Sequence, residues 1–207
     1  NQKIFKDKLS NQLGYDWVDP ARANRIEEVL KADPSQVEAE QADAYMPTVD
    51  YFIKTQRKKL SVDRLCSRVE DRADCLDKVA DLDSWNAKGE ENSTAATLAS
   101  LWMMQSRWAL LPAGLVTDFD KKPERVKRVL KKWASSSNVA QVMRYMEEDP
   151  KFRARWENVS GRKWYDEVLS AFEKSADLIG PASEYLKWGV VHRVSWAHPI
   201  ARMLCLE

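Results

Sequence analysis

From Val62 to Leu82 apolar residues recur at intervals of three, four and seven positions. Val62, Leu65, Val69, Leu76, Val79 and Leu82 fall on one helical face, with charged residues opposite. The spacing predicts a strongly amphipathic helix there. Residues 92–111 are more apolar, with Ala95, Leu98, Leu101, Trp102, Trp108 and Leu111 at helical intervals. That pattern predicts a central, well-buried helix. Upstream, Asp19 and Pro20 form a cap-and-first-turn pair, and Ile26, Val29 and Leu30 give an i, i+3, i+4 stripe. "DPSQVEAEQADAYM" repeats the logic with Asp33 or Ser35 as cap, and Pro47 kinks or restarts the next helix. Downstream, "KPERVKRVLKKW", "SNVAQVMRYMEED" and "WYDEVLSAFEKSADLI" read as three more helices, and Gly180-Pro181 ends the last.

The two ends read differently. Residues 1–18 have no helical period and read as a strand end and a loop. Residues 189–200, "GVVHRVSWAHPI", alternate as a strand does. The predicted fold is mainly α, with a helical region at 19–187, a strand entering from 1–18 and a strand leaving over 188–207. A strand must pair to satisfy its backbone. The expectation is therefore that these ends join a sheet built elsewhere, and that the chain is an internal section of a larger unit.

Composition fits a helical body. Only six of the 207 residues are Gly, while nine are Trp. Lys and Arg number 33 against 32 Asp and Glu, so no global field favours nucleic acid or an anionic membrane. No apolar run approaches the roughly 18–20 residues that span a bilayer. The three cysteines, Cys66, Cys75 and Cys205, form no Cys-x-x-Cys pair that would suggest zinc or redox chemistry. Cys66 and Cys75 are read as two buried thiols, with a local disulfide as the alternative in an oxidising compartment.

Candidate chemistry is sparse. His192 and His198 are the only histidines. On a strand they share a face about 20 Å apart, too far to share one metal. They are read as structural histidines packed by Trp188 and Trp196. Trp102, Met103, Met104 and Trp108 suggest an apolar pocket, but ordinary core is the better reading. The basic run Lys121, Lys122, Arg125, Lys127, Arg128, Lys131 and Lys132 is read as a solvated face. The sequons at Asn92 and Asn158 matter only in a eukaryotic secretory pathway. There is no Walker loop, Gly-rich dinucleotide fingerprint, His-Glu-x-x-His or nucleophile elbow.

Five stretches, in order, resemble the penicillin acylases, which are N-terminal-nucleophile amidohydrolases. "NQKI" resembles the end of that family's A-N-x strand, and "GYDWVDPARANRIEEVL" its segment with Trp followed by R-x-x-R-I. "EAEQADAYMP" resembles the next helix. "LDSWNAKGEENSTAATLASLW" resembles L-x-x-W-D-G…S-x-A-A…W. "WGVVHRVSWAHPI" resembles W-G-x-x-H-R-V-x-F-x-H-P-L. The resemblance implies the helical part of a β-subunit within an α+β sandwich enzyme. It implies a Ser, Thr or Cys nucleophile activated by its own α-amine, an acyl-enzyme intermediate, and no metal or cofactor.

Residue by residue, the resemblance implies an oxyanion-hole role for Asn1 and a supporting place beside it for Arg25, with Arg22 a weaker match. Asn86 stands where the family has Asp, so any role of that Asp is lost. The implied partners are the α-subunit and the rest of the β-subunit, and the implied substrate is a small N-acyl amide of β-lactam or N-acyl-homoserine lactone type. Neither nucleic acid nor membrane is expected as a partner, and the implied location is periplasmic or secreted. On this reading the chain alone is inactive, because Asn1 has no ionisable hydroxyl or thiol. The rival reading is a non-enzymatic helical interaction domain that uses its Trp-rich faces and the basic helix at 122–133.

Overall fold

A computed structural model describes residues 46–134, 137–180 and 186–191, together with Glu27 and Lys31. Among the described residues the regular structure is all helical, with no strand. Ten α-helical segments are described: α1 Met46–Lys59, α2 Val62–Leu65, α3 Arg72–Ser84, α4 Thr94–Ala109, α5 Ala113–Val116, α6 Glu124–Ala134, α7 Ser137–Glu148, α8 Pro150–Ser160, α9 Trp164–Ile179 and α10 Trp188–Val191. A 3-10 turn, Phe119–Lys121, separates α5 from α6.

The most apolar stretch of the sequence becomes the hub. Helix α4 starts where Ser93 Oγ accepts the Ala96 amide at 3.0 Å. It then packs against α9 above all, and also touches α1, α3, α6, α7 and α10. Ala95, Ala96, Leu98, Ala99, Trp102 and Met103 are buried along it. The small residues let neighbouring helices approach, and the large ones fill the space between them. Trp102 sits at the centre, edge-on to Phe52 at 5.4 Å and to Phe172 at 4.9 Å. Its Nε1 donates to the Val168 carbonyl at 2.9 Å, so the one polar atom of the indole is satisfied. The core reading of Trp102 and Met103 holds. Trp108 is only partly buried and rests edge-on against Phe119.

The stretch 62–82 departs from the expected pattern. It is two helices, α2 and α3, separated by 66–71. Asp71 caps the second, accepting the Asp74 amide at 3.0 Å. The buried face of α3 is Cys75, Lys78, Val79 and Leu82, while Leu76 turns outward. The break also corrects the reading of the cysteines. In one continuous helix, positions nine apart would lie about 13 Å from each other. The chain instead folds back at 66–71, bringing the two Cα atoms to 5.8 Å, and Cys66 and Cys75 form a disulfide. Both remain buried, but as one cystine rather than two thiols.

Opening that bond frees a short loop. Loop-closure entropy puts the loss for the Cys66→Ser/Cys75→Ser variant at about 2.5 kcal/mol. For a chain of this size that is a melting temperature lowered by roughly 5–10 °C. Calorimetry of the double variant against the parent checks it, and an unchanged midpoint would contradict the pairing.

Helix α8 is absent from the sequence-based expectation. Asp149 caps it through the Lys151 and Phe152 amides at 2.8 and 3.1 Å, Pro150 opens it, and Gly161 at φ 69° closes it. None of its residues is buried, so it has almost no core-facing stripe to read.

Two further expectations change. Trp188–Val191, expected to begin a strand, form one helical turn. Their leading amides are taken by carbonyls of the 91–93 turn rather than by a neighbouring strand. The basic run is solvated as expected, but the apolar half of α6 is only partly covered. Leu130 and Ala134 are buried, while Val126, Val129 and Trp133 are exposed. Glu27 and Lys31 are helical and paired at 2.7 Å, in keeping with the expected helix after Pro20. The rest of residues 1–45 and all of 192–207 lie outside the described residues, so the expected end strands, His192, His198 and Cys205 do too.

Candidate functional site

The sequence-predicted site residues, Asn1 and Arg25, and the weaker Arg22 lie outside the described residues. Within them, two places concentrate polar groups: a cleft between α1 and α7, and the loop that meets α10.

The cleft is shallow and open to solvent, with room for about 20 Å³, on the order of one water. Phe52, Met103 and Met143 line it alongside Tyr51, Arg144 and Glu147. Glu147 gathers three helices. Its Oε1 accepts from Gln56 Nε2 of α1 at 2.8 Å and from Trp164 Nε1 of α9. Its Oε2 accepts from the Tyr165 hydroxyl at 3.0 Å. Arg153 of α8 lies over the Tyr165 ring at 5.3 Å and donates to the Met146 carbonyl at 2.7 Å. On the rim, Arg144 covers the Tyr51 ring at 4.1 Å and the Tyr51 hydroxyl donates to Glu148 Oε1 at 2.6 Å.

A carboxylate with three donors already in place has little left to offer a substrate proton. Glu147 is an anchor for the helical body, not a general base. The sequence carried one signal for this cluster. Gln56 falls between Phe52 and Leu60 at i+4 spacing, a polar residue at a core position, and it is fully buried.

The two phenols share a property. Burial, reinforced by the adjacent Glu148 carboxylate, pushes Tyr51 up to about 12. Burial and Glu147 do the same for Tyr165, also to about 12. An acid whose folded value lies above its unfolded value of 10 keeps its full contribution to stability below pH 10 and loses it as the pH climbs through 12. Alkaline titration of phenolate absorbance is expected to show two of the six tyrosines ionising late, with stability falling over the same window. All six ionising together near pH 10 would contradict the cluster.

The second place is built from residues 85–93. Trp85 Nε1 donates to the Lys88 carbonyl at 2.9 Å. Asn86 Oδ1 accepts the Lys88 amide at 3.0 Å, and its Nδ2 donates to Glu90 Oε1 at 2.7 Å. The Ser93 amide closes on the Glu90 carbonyl at 2.9 Å. On the far side, the Trp188 amide donates to Ser93 O at 3.0 Å and the Gly189 amide to Glu91 O at 2.9 Å. The loop is thus tied to itself and also grips α10.

Among the described residues no cluster of three or more His, Cys, Asp or Glu is placed to hold a metal. No described helix is long and apolar enough to cross a membrane.

Comparison with known families places the chain. The family described as penicillin amidase matches residues 1–206. The chain belongs to the penicillin amidase family. No curated protein and no solved structure matches it.

As a member of the penicillin amidase family, the chain belongs with acylase-type amidases. Two of the stretches that resembled that family, 82–102 and 188–200, meet at the 85–93 loop. Asn86 holds the backbone there, its side-chain oxygen closing the turn at Lys88. Ala87, where the family pattern has Gly, sits at φ 62°. A methyl-bearing residue is strained in that region, and glycine is not. Ala87→Gly is therefore expected to stabilise the protein by about 0.5–1 kcal/mol, net of glycine's entropy cost. A urea midpoint that rises with unchanged slope would show it, whereas a lower midpoint would argue against the strained turn.

Proposed function

We propose that this chain forms the helical part of the β-subunit of an N-terminal-nucleophile amidohydrolase that cleaves the amide of a small N-acylated molecule. The observation that carries the reading is the penicillin amidase match over residues 1–206. The all-helical body of the described residues supports the assignment to the helical part.

On this proposal another segment of the same acylase supplies the Ser, Thr or Cys nucleophile. Its own α-amine takes the side-chain proton, and the nucleophile attacks the amide carbonyl. The amine leaves with a proton, and water then hydrolyses the acyl-enzyme. Asn1 donates to the oxyanion of each tetrahedral intermediate, with Arg25 set beside it. The leaving group is of β-lactam or homoserine lactone type. The Cys66–Cys75 disulfide supports an oxidising location, periplasmic or secreted.

The test is hydrolysis of a panel of chromogenic anilides with aryl and alkyl acyl chains by the complete enzyme. Release of the aniline without added metal, lost when Asn1 becomes Ala, is the expected result. A complete enzyme that cleaves no anilide would count against the reading.

The rival is a non-enzymatic interaction domain. It draws on one observation, the exposed Val126, Val129 and Trp133 beside the basic residues of α6.

A further inference from the structure

Resting on the acylase reading, we propose that the Glu91–Gly189 contact is a positioning joint. It holds Trp188–Val191 against the 91–93 turn, and so aligns the stretch that the acylase reading assigns to the return into the catalytic sheet.

The joint is tight for a reason of space. A Cβ on Gly189 would lie 2.3 Å from Glu91 Cγ, 3.1 Å from its Cβ and 3.2 Å from its Cα. Gly189 is not among the positive-φ glycines, which are Gly161 and Gly180, so its backbone does not call for glycine. The close approach of Glu91 does. Two successive amides, those of Trp188 and Gly189, seat on Ser93 O and Glu91 O and fix the turn in direction as well as distance.

The surface they seat on is stiff. Trp85, Asn86, Lys88 and Glu90 hold one another through hydrogen bonds of 2.7–3.0 Å. Ser93 is tied into α4 through its cap to Ala96. The two amides hold Trp188–Val191 on this surface, so a displacement at Gly189 shifts α10. Gly189 is the positioning residue, acting on the reaction through alignment of other groups; it seats on the Glu91 backbone carbonyl, and the Glu91 side chain only fills the space beside it.

The test is a cycle in the complete enzyme: parent, Gly189→Ala, Glu91→Gly and Gly189→Ala/Glu91→Gly. Misalignment on the ångström scale costs up to about a hundredfold in rate, so Gly189→Ala is expected to lower kcat roughly tenfold or more with KM changed far less. Removing the Glu91 side chain makes room for the new methyl, so the double variant recovers most of kcat and Glu91→Gly alone stays near the parent. Hydrogen exchange of peptides covering 188–200 is read in parallel. Their protection falls in Gly189→Ala and returns in the double variant.

Parent-like kcat in Gly189→Ala overturns the proposal, as does a loss that the double variant does not recover. If Gly189→Ala gives no soluble enzyme, recovery of soluble active enzyme in the double variant supports the joint, and its failure overturns it. A parent without amidase activity whose exchange pattern still tracks the cycle would sink the acylase reading and leave the joint standing as a structural contact without the catalytic role.

Discussion

Trp102→Ala is expected to cost about 3–5 kcal/mol, the range for truncating a large buried aromatic. The indole is fully buried and touches both other rings of the central stack, Phe52 from α1 and Phe172 from α9. Its removal opens a cavity at a point where three helices meet. It also leaves the Val168 carbonyl without the indole donor in the interior of α9, although that carbonyl keeps its helical partner. Trp102→Phe retains most of the packing and loses only the hydrogen bond and part of the volume, so it is expected to cost about 1–2 kcal/mol. Chemical denaturation of the two variants and the parent gives both numbers. Equal costs for Ala and Phe would mean the packing is not where the stability lies.

Glu147→Leu is the second. The substitution removes the acceptor of Gln56, Trp164 and Tyr165 together, and each donor left buried without a partner carries a penalty. Glu147 is only partly buried, so water relieves some of it, and about 2–4 kcal/mol is the expected loss. Glu147→Gln keeps one oxygen acceptor but points a second donor at donors, and is expected to fall between the parent and Leu. The indole N–H resonance of Trp164, assigned with a Trp164→Phe variant, gives a local readout, because that N–H donates to this carboxylate. Loss of stability with an unshifted Trp164 indole resonance would show that the cluster is not the cause.

Much of this architecture was legible where apolar spacing and capping agreed. Residues 94–109 were read from their long apolar run, and they became the hub, with Ser93 as the cap the structure adds. Residues 164–179 ended at Gly180, as the Gly-Pro pair implied. The misses share a cause. At 62–82 the apolar period ran unbroken through a polar bend, because Val69 keeps the period while lying in a loop. The period reports which face is apolar, not whether the backbone is continuous, and the disulfide went with that error. Helix α8 was hidden for the opposite reason, having caps but no buried face. Asp149-Pro150 has the same form as Asp19-Pro20 and was the available signal.

The candidate site was less legible. Spacing and composition showed no catalytic group, and the reading of Asn1 and Arg25 came from resemblance. The role of Glu147 depends on side chains from three helices, and no local pattern joins Gln56, Glu147 and Trp164. The Gly189 contact depends on Glu91, far away along the chain. A lone glycine in a short alternating stretch signals a bulge or a close approach, but not which residue approaches.

Mass spectrometry of the purified, active enzyme, under native and denaturing conditions after trapping with a slow acyl substrate, tests the central claim most directly. The account predicts that this sequence lies within, or stays bound to, material containing a polypeptide that starts with Ser, Thr or Cys, and that the acyl mass appears on that first residue. A folded, monomeric 207-residue chain with no such companion, or an acyl group on any other residue, would contradict it.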